Sequence, residues 1–101
     1  MDLNKMRQDS AVVAELLKTI AHSERLMVLC QLIGSEVPVS QLQANSVLSQ
    51  SALSQHLTVL KKKQLVTARK EAQQVFYSLA DQKLVILIQQ LQDLYCPHNE
   101  S

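Results

Sequence analysis

The stretch LSQSALSQHLTVLKKKQLV, Leu48–Val66, decides the fold. Its apolar side chains recur at helical spacing and would form one buried face: Ala52, Leu53, Leu57 and Leu60. Ser49 is a suitable N-cap for this helix. The opposite face carries Ser, Gln and Thr side chains, which are poor in charge and rich in hydrogen-bonding groups. Such a face suits contacts with the edges of bases better than it suits solubility.

The residues on either side of this helix complete a recognisable motif. Upstream, Pro38 prevents helix continuation and Ser40 can cap a short helix to about Asn45. Downstream, the hydrophobic period changes from 3.6 to 2, so LVTAR and QVFYSL read as two short strands joined by KEAQ. Two short helices followed by a two-stranded ribbon predict a winged helix-turn-helix, in which the second helix enters the major groove.

Three further helices are predicted outside this motif. Helical spacing covers Ala11–Ile20, and Ser23 is a plausible N-cap for a second helix that Gly34 closes. Asp81 can cap a last helix that extends to about Tyr95. The predicted order is therefore α-α-α-α-β-β-α, a mainly α fold with a small β-ribbon.

The last helix also bears on assembly. Its first half, LVILI, is apolar all round, and a terminal helix of a small protein cannot bury every face against its own core. We therefore expect a homodimer that forms through the first and last helices. At 101 residues the chain is expected to be a single domain, 1–101, with flexible tails at 1–9 and 97–101.

The distribution of charge points to nucleic acid. The net charge is only +1, yet the segment Val37–Lys70 contains no Asp or Glu and holds all the residues of a basic patch. A lysine triplet alone is usually a solvated surface, but the acid-free segment favours a phosphate-binding face. Aromatic residues are too few to stack single-stranded bases, which favours duplex DNA as the partner.

Individual roles follow from this interpretation. Gln50 and Gln55 could pair with adenine, and Ser51 and Ser54 could bond either kind of base. Ser49 and Ser51 also lie where a helix N-terminus attracts phosphate. The expected backbone contacts are Lys61, Lys62 and Lys63 at the helix end, with Arg69, Lys70 and Gln73 in the hairpin. His56 could donate to a phosphate or pack against the hairpin, and we favour packing.

Other classes of function find little support. One glycine cannot build a phosphate-binding loop, and no Ser–His–acid arrangement is evident, so neither an enzyme nor a cofactor is expected. Cys96 and His98 are too few to predict a metal site. No apolar segment is long enough to span a bilayer and no signal peptide is visible, so we expect a cytoplasmic protein without a membrane partner.

The two cysteines allow two interpretations at this point. Cys30 lies on the core-facing stripe of its helix, where a free cysteine often acts as a small hydrophobe. Cys96 lies near an accessible C-terminal segment. A redox pair and two unrelated cysteines are equally compatible with the residues alone.

The sequence resembles the ArsR/SmtB family of dimeric winged-helix repressors over nearly its full length. The resemblance rests on AHSERLMVLCQL, VSQL, LSQSALSQHLTVLKKKQLV and RKEAQQVFYSL. The SQSALSQHL and RKEAQ-VFY segments, with a cysteine in the second helix and a terminal LYC, are similar to the HlyU, BigR and SqrR branch. That branch senses reactive sulfur or oxidants through a cysteine pair.

The resemblance implies roles for particular residues. Cys30 and Cys96 would be the sensing dithiol, Ser49 to Lys62 the recognition helix, and Arg69 to Gln74 the wing. Arsenic and cadmium sensors carry thiols where this chain has EVPVSQL, and zinc sensors carry Asp-x-His where it has Asp81-Gln82-Lys83. Neither of those metal sites can form here. The wing turn has Glu71-Ala72 where most of the family has Gly, which weakens phosphate attraction at the tip.

The expected function is that of a dimeric repressor whose reduced form binds a pseudo-palindromic duplex operator. A disulfide or polysulfide between Cys30 and Cys96 would lower that affinity. Three alternatives stay open. They are a winged-helix DNA binder without sensing, a metal-responsive repressor with an unrecognised site that uses Cys96 and His98, and a helical protein-interaction module with a merely solubilising lysine run.

Overall fold

The computed structural model describes residues 1–96 and contains five helices and three strands within that range. The order is α1 (Leu3–Ile20), α2 (Ser23–Gln31), β1 (Val37–Pro38), α3 (Val39–Ala44), α4 (Gln50–Lys62), β2 (Val66–Glu71), β3 (Gln74–Leu79) and α5 (Gln82–Tyr95). The predicted winged helix-turn-helix is confirmed, with α3 and α4 as the helix pair and the β2–β3 hairpin as the wing. The predicted tail at 97–101, with Pro97 and His98, lies outside the described residues.

The sheet has one strand more than the sequence predicted. β3 lies between β1 and β2, and both pairings are antiparallel. β1 is only two residues long and pairs Val37 with Tyr77 and Pro38 with Phe76. A strand of two residues is too short to show the alternation of apolar and polar residues by which strands are predicted. β1 is recognised only through its pairing with β3 in the folded chain. β1 anchors the wing to the segment that precedes α3.

The sequence predicted a flexible tail over residues 1–9, and in the structure α1 begins at Leu3. The Asp2 side chain accepts hydrogen bonds from the backbone N–H groups of Asn4 and Lys5, at 3.0 and 3.2 Å. Lys5 pairs one turn later with Asp9 at 3.0 Å. An acidic N-cap and an i,i+4 ion pair both favour helix at this end of the chain.

Three further helix ends differ from the prediction. Ser23 is the first residue of α2, and His22 is the cap, since its Nδ1 accepts from the Glu24 N–H at 3.2 Å. Pro38 precedes α3 without a side-chain cap bond, so Ser40 lies inside that helix. Gly34, at φ +77°, lies in the turn that follows α2 rather than directly at its end. Ser49 and Asp81 cap α4 and α5 as predicted.

The core collects side chains from every helix and from β1 and β2. Its fully buried members are Leu29 and Leu32 near the end of α2, Leu42 of α3, Leu60 of α4 and Ile88 of α5. α2 packs against both α4 and α5, so it connects the helix-turn-helix with the last helix. Within residues 1–96, no helix combines the length and the apolar character needed to cross a membrane.

Candidate nucleic-acid interface and cysteine pair

The polar face of α4 is fully presented to solvent. Leu53, Leu57 and Leu60 are buried, which turns the opposite side of the helix outward. That side consists of Gln50, Ser51, Ser54, Gln55 and Thr58, and all five are exposed. The N-terminus is held by Ser49, whose Oγ accepts from the Ala52 N–H at 3.2 Å. The predicted base-reading residues therefore share one accessible surface at the start of a capped helix.

The lysines at the end of α4 are not equivalent. Lys61 and Lys62 are exposed in its last turn, and no acidic group among residues 1–96 forms an ion pair with either. Lys63 instead approaches Glu15 of α1, with Nζ 3.7 Å from Oε1. Lys61 and Lys62 therefore carry charge that no acidic group of residues 1–96 neutralises, whereas Glu15 partly neutralises the charge of Lys63.

The two cations of the wing differ: Arg69 forms ion pairs, and Lys70 forms none with the acidic groups of residues 1–96. Arg69 donates to both carboxylate oxygens of Glu36 and to Glu71, and its guanidinium lies 4.8 Å from the centroid of the Phe76 ring. These hydrogen bonds raise the pKa of Arg69, and the Arg69 bond holds the pKa of Glu36 below its usual range. Lys70 and Gln73 are exposed at the tip, where Ala72 adopts φ +56°.

His56 contacts residues at the start of α2, whereas the sequence prediction placed it against the wing. Its Nδ1 accepts from Arg25 Nε at 3.1 Å, and its ring centroid lies 4.3 Å from that of His22. Burial lowers the pKa of His56, the positive charges of His22 and Arg25 lower it further, and Glu24 raises it slightly. The predicted packing role thus has a partner that sequence patterns did not reveal, namely Arg25.

A groove of about 620 Å³ runs beside the recognition face. It lies between α3, α4 and β3 and is bordered by Ser40, Gln43, Gln50, Ser54 and Tyr77. Burial raises the pKa of Tyr77, so its phenol remains a neutral donor. Hydroxyl and amide groups along such a groove can bond phosphate or sugar oxygens without carrying charge.

The two cysteines lie on helices that pack against each other. Cys30 is half-buried on α2, Cys96 is exposed at the end of α5, and neither forms a disulfide. Burial raises the pKa of the Cys30 thiol, and the negative charge of the Cys96 thiolate raises it further. The fold thus places the two cysteines on, or at the end of, helices that pack together, although they are far apart in sequence.

Sequence reasoning missed three residues that shape this surface: Glu15, Arg25 and Glu36. Each pairs with a residue distant in the chain, and no local pattern predicts such a contact. Among residues 1–96 no group of three or more His, Cys, Asp or Glu side chains could hold a metal ion. His98, the other candidate ligand, lies outside the described residues.

Comparison with known proteins places this geometry in context. The sequence pattern described as "Bacterial regulatory protein, arsR family" matches residues 22–68, from the start of α2 into β2. The transcriptional activator HlyU of Vibrio cholerae is 45% identical over 99% of this chain and 93% of its own length. The biofilm growth-associated repressor of Agrobacterium fabrum is 41% identical over 98% of this chain and 85% of its own length.

Solved structures agree with these sequence relatives. The structure described as reduced HlyU from Vibrio cholerae superimposes with a TM-score of 0.87 at 46% identity, covering 91% of this chain and 97% of that one. The transcriptional repressor BigR from Xylella fastidiosa gives a TM-score of 0.86 at 33% identity, covering 99% of each chain. Similarity therefore extends over the wing, the recognition helix and most of the first and last helices.

Proposed function

Because this chain belongs to the ArsR family and is a DNA-binding transcriptional regulator rather than an enzyme, we propose that it is a homodimeric repressor that senses oxidants or reactive sulfur through Cys30 and Cys96. The observation that carries the sensing role is the placement of both thiols. One lies on α2, the other at the end of α5, and these helices pack together. One solved structure of the related HlyU is described as reduced, so the oxidation state of that relative was specified.

DNA is bound through α4 and the wing. Gln50, Ser51, Ser54 and Gln55 contact base edges, while Ser49, Lys61, Lys62, Lys70 and Gln73 contact the backbone. Arg69 supports the wing through Glu36 and reaches phosphate only if that pair opens. Two recognition helices of a dimer would enter successive major grooves about 34–36 Å apart, so the operator is a pseudo-palindrome.

An apolar stripe on α1 supports the dimer. Exposed apolar side chains follow one another at spacings of three, seven and four residues: Leu3, Met6, Val13 and Leu17. On a helix such spacings place them on a single face. α5 adds Ile86, Leu94 and Tyr95, which are 55, 68 and 77% exposed. Exposed apolar surface of this extent on two helices is typical of a subunit interface.

The dimer can be tested by sedimentation analysis of Val13→Glu. A charge in the stripe should shift the protein towards monomer, because it would be buried without a partner. Gln8→Glu is the matched control, since it adds the same charge on the opposite side of α1. A monomeric wild type, or a Val13→Glu protein that sediments as the wild type does, would refute an interface through α1.

The sensing chemistry can be written with a hydropersulfide, RSSH, as oxidant. A cysteine thiolate attacks its outer sulfur, which gives Cys–S–SH and releases the thiol RSH. The second cysteine thiolate then attacks the cysteine sulfur of that persulfide, forming the disulfide and releasing H₂S. One further RSSH inserts one sulfur atom and releases a second RSH, which gives a trisulfide. The longer bridge relaxes the limit of about 7 Å between Cα atoms that a disulfide imposes.

Closing this bridge would alter the packing of α2 against α5. Since α2 also packs against α4, a shift of α2 reaches the recognition helix directly. A change of about 1.4 kcal/mol in the balance between DNA-competent and DNA-incompetent arrangements lowers affinity tenfold. Coupling of this modest size is sufficient for a transcriptional switch.

The experiment is a binding titration with an operator duplex selected from a randomised library by the reduced protein. Glutathione persulfide should weaken binding by the wild type at least tenfold and leave Cys30→Ser unchanged. Cys30→Ala also removes the thiol but keeps an apolar side chain at this half-buried position. If both variants fail to respond, the loss comes from the missing thiol and not from altered packing. A Cys30→Ser protein that still responds would refute the dithiol, and a wild type that never responds would leave a DNA binder without this sensor.

A further inference from the structure

The Arg25 side chain joins three helices. Its terminal nitrogen donates to the Thr19 carbonyl near the end of α1 at 2.8 Å, and its Nε donates to His56 Nδ1 on α4 at 3.1 Å. Arg25 itself lies in the first turn of α2. One half-buried guanidinium therefore connects the ends of α1 and α2 to the middle of the recognition helix.

These bonds fix the protonation state of His56. A guanidinium is only a donor, so the Nδ1 atom that receives its hydrogen bond must carry a lone pair. His56 is then neutral, and its single ring proton is on Nε2. The His22 ring lies next to it, and the His22 Nδ1 accepts from the Glu24 N–H. His56 thus lies beside both an arginine and a second histidine ring.

Protonation of His56 is incompatible with this arrangement. It would place an N–H where Arg25 also donates, and add a positive charge beside Arg25 and a ring whose centroid is 4.3 Å from that of His22. Among the described residues, Glu24 is the acidic group that opposes these charges, and its effect is the smallest of the four causes that act on His56. The charged ring would be repelled by Arg25, and the hydrogen bond that ties α4 to α2 would be lost.

We propose that Arg25 is a positioning residue for DNA recognition, which holds α4 in its DNA-binding position through neutral His56 and releases it when His56 is protonated. The proposal rests on the assignment of α4 as the recognition helix, and it is independent of the cysteines. His56 is adjacent to Gln55, one of the proposed base contacts, so a displaced His56 moves the reading surface itself. Acidification then acts as a second signal on DNA affinity.

The direction of the effect distinguishes this role from a phosphate contact. If DNA selects the arrangement with neutral His56, affinity is full above the His56 pKa and falls as pH decreases through it. Because the pKa is lowered, the fall lies below the ordinary histidine value of about 6.5. A histidine that contacted phosphate as a cation would strengthen binding over the same range. Loss of the Arg25 bond should weaken specific binding about tenfold.

The test is a titration of the selected operator duplex with reduced protein from pH 5 to 8 at constant ionic strength. His56→Asn keeps an uncharged acceptor near Nδ1 and should bind at pH 7.5 while losing the acid response. His22→Asn is the matched control, because Asn also caps helices and the response should persist. Arg25→Lys should bind more weakly than the wild type even at pH 7.5. A wild-type affinity that rises or stays level on acidification would overturn the proposal.

Nuclear magnetic resonance of the wild type provides a test that needs no variant. The His56 ring should show the Nε2–H form, and saturating operator duplex should lower its pKa, because coupling between the two sites is reciprocal. An unchanged or raised pKa would overturn the proposal. Replacing Gln50, Ser54 and Gln55 together by Ala distinguishes a failed premise: if this variant binds the operator as the wild type does, α4 is not the reading helix and the assignment fails first.

Discussion

Arg69 of β2 donates hydrogen bonds to both carboxylate oxygens of Glu36, with Nε 3.0 Å from Oε2 and a terminal nitrogen 2.8 Å from Oε1. Glu36 lies directly before β1, so the pair ties the hairpin to the segment that leads into α3. Bidentate pairing fixes the planar guanidinium more firmly than a single contact would. Arg69 therefore orients the wing, and the neighbouring Lys70 is exposed to solvent.

The two cations of the wing should respond differently to substitution. Lys70→Gln should weaken binding uniformly across DNA sequences and reduce the salt slope by about one, as expected for one lost phosphate contact. Arg69→Gln should leave the salt slope nearly unchanged, because the carboxylates of Glu36 and Glu71 already neutralise the Arg69 charge. Titrations of operator and unrelated duplexes at several salt concentrations measure both slopes. Equal slope changes would contradict this division of roles.

The exposed face of α4 should carry sequence discrimination. Gln55→Ala should remove a base contact, reducing discrimination at one operator position by about 1–3 kcal/mol while the salt slope stays constant. The control is Gln8→Ala on α1, an equally exposed glutamine away from the recognition face. Competition binding against operator duplexes substituted at each position measures this discrimination. Unchanged discrimination at every position would show that Gln55 does not read a base.

The two thiols should differ in reactivity. Cys96 is exposed and should be alkylated by iodoacetamide before the half-buried Cys30. Because burial raises the pKa of Cys30, its alkylation rate should reach half its maximum at a higher pH than an ordinary thiol does. The Cys96→Ser variant lacks the thiolate charge, which is the smaller of the two causes that raise the Cys30 pKa. It should therefore lower the pH midpoint of Cys30 alkylation only in part. Faster labelling of Cys30 at neutral pH would contradict these environments.

The stability of the fold should depend on the buried face of the recognition helix. Leu60 is fully buried where α4 meets the core, so Leu60→Ala should lower the free energy of unfolding by about 2–5 kcal/mol. Val47→Ala is the control, because Val47 is 90% exposed and should change stability by less than about 0.5 kcal/mol. Urea denaturation followed by circular dichroism measures both. Similar losses for the two variants would contradict the packing described.

Local signals in the sequence predicted most of the recognition motif. Ser49, the leucine spacing and the change of period after Leu65 each depend on neighbours a few residues apart, and α4 and the hairpin form where those signals place them. The N-terminus of α1 was missed although its signal is also local. Asp2 and the Lys5–Asp9 pair indicate helix. The helical spacing of apolar residues that predicts α1, however, begins only at Ala11.

Contacts between distant residues were not predictable in the same way. β1 is defined by its pairing with β3, and Arg25 meets His56 thirty-one positions along the chain. His22 caps α2 through a ring nitrogen, a less usual cap than the serine that follows it. The resemblance to a known family supplied the Cys30–Cys96 pairing, because a separation in sequence carries no information about proximity in space.

The central claim is tested most directly by peptide mapping with mass spectrometry after the reduced protein is exposed to glutathione persulfide. The account predicts that the peptides containing Cys30 and Cys96 are joined within one chain, by a disulfide or with one or more added sulfur atoms, and that no free thiol remains. Cysteines that are persulfidated separately, or left unmodified, would contradict a sensing dithiol.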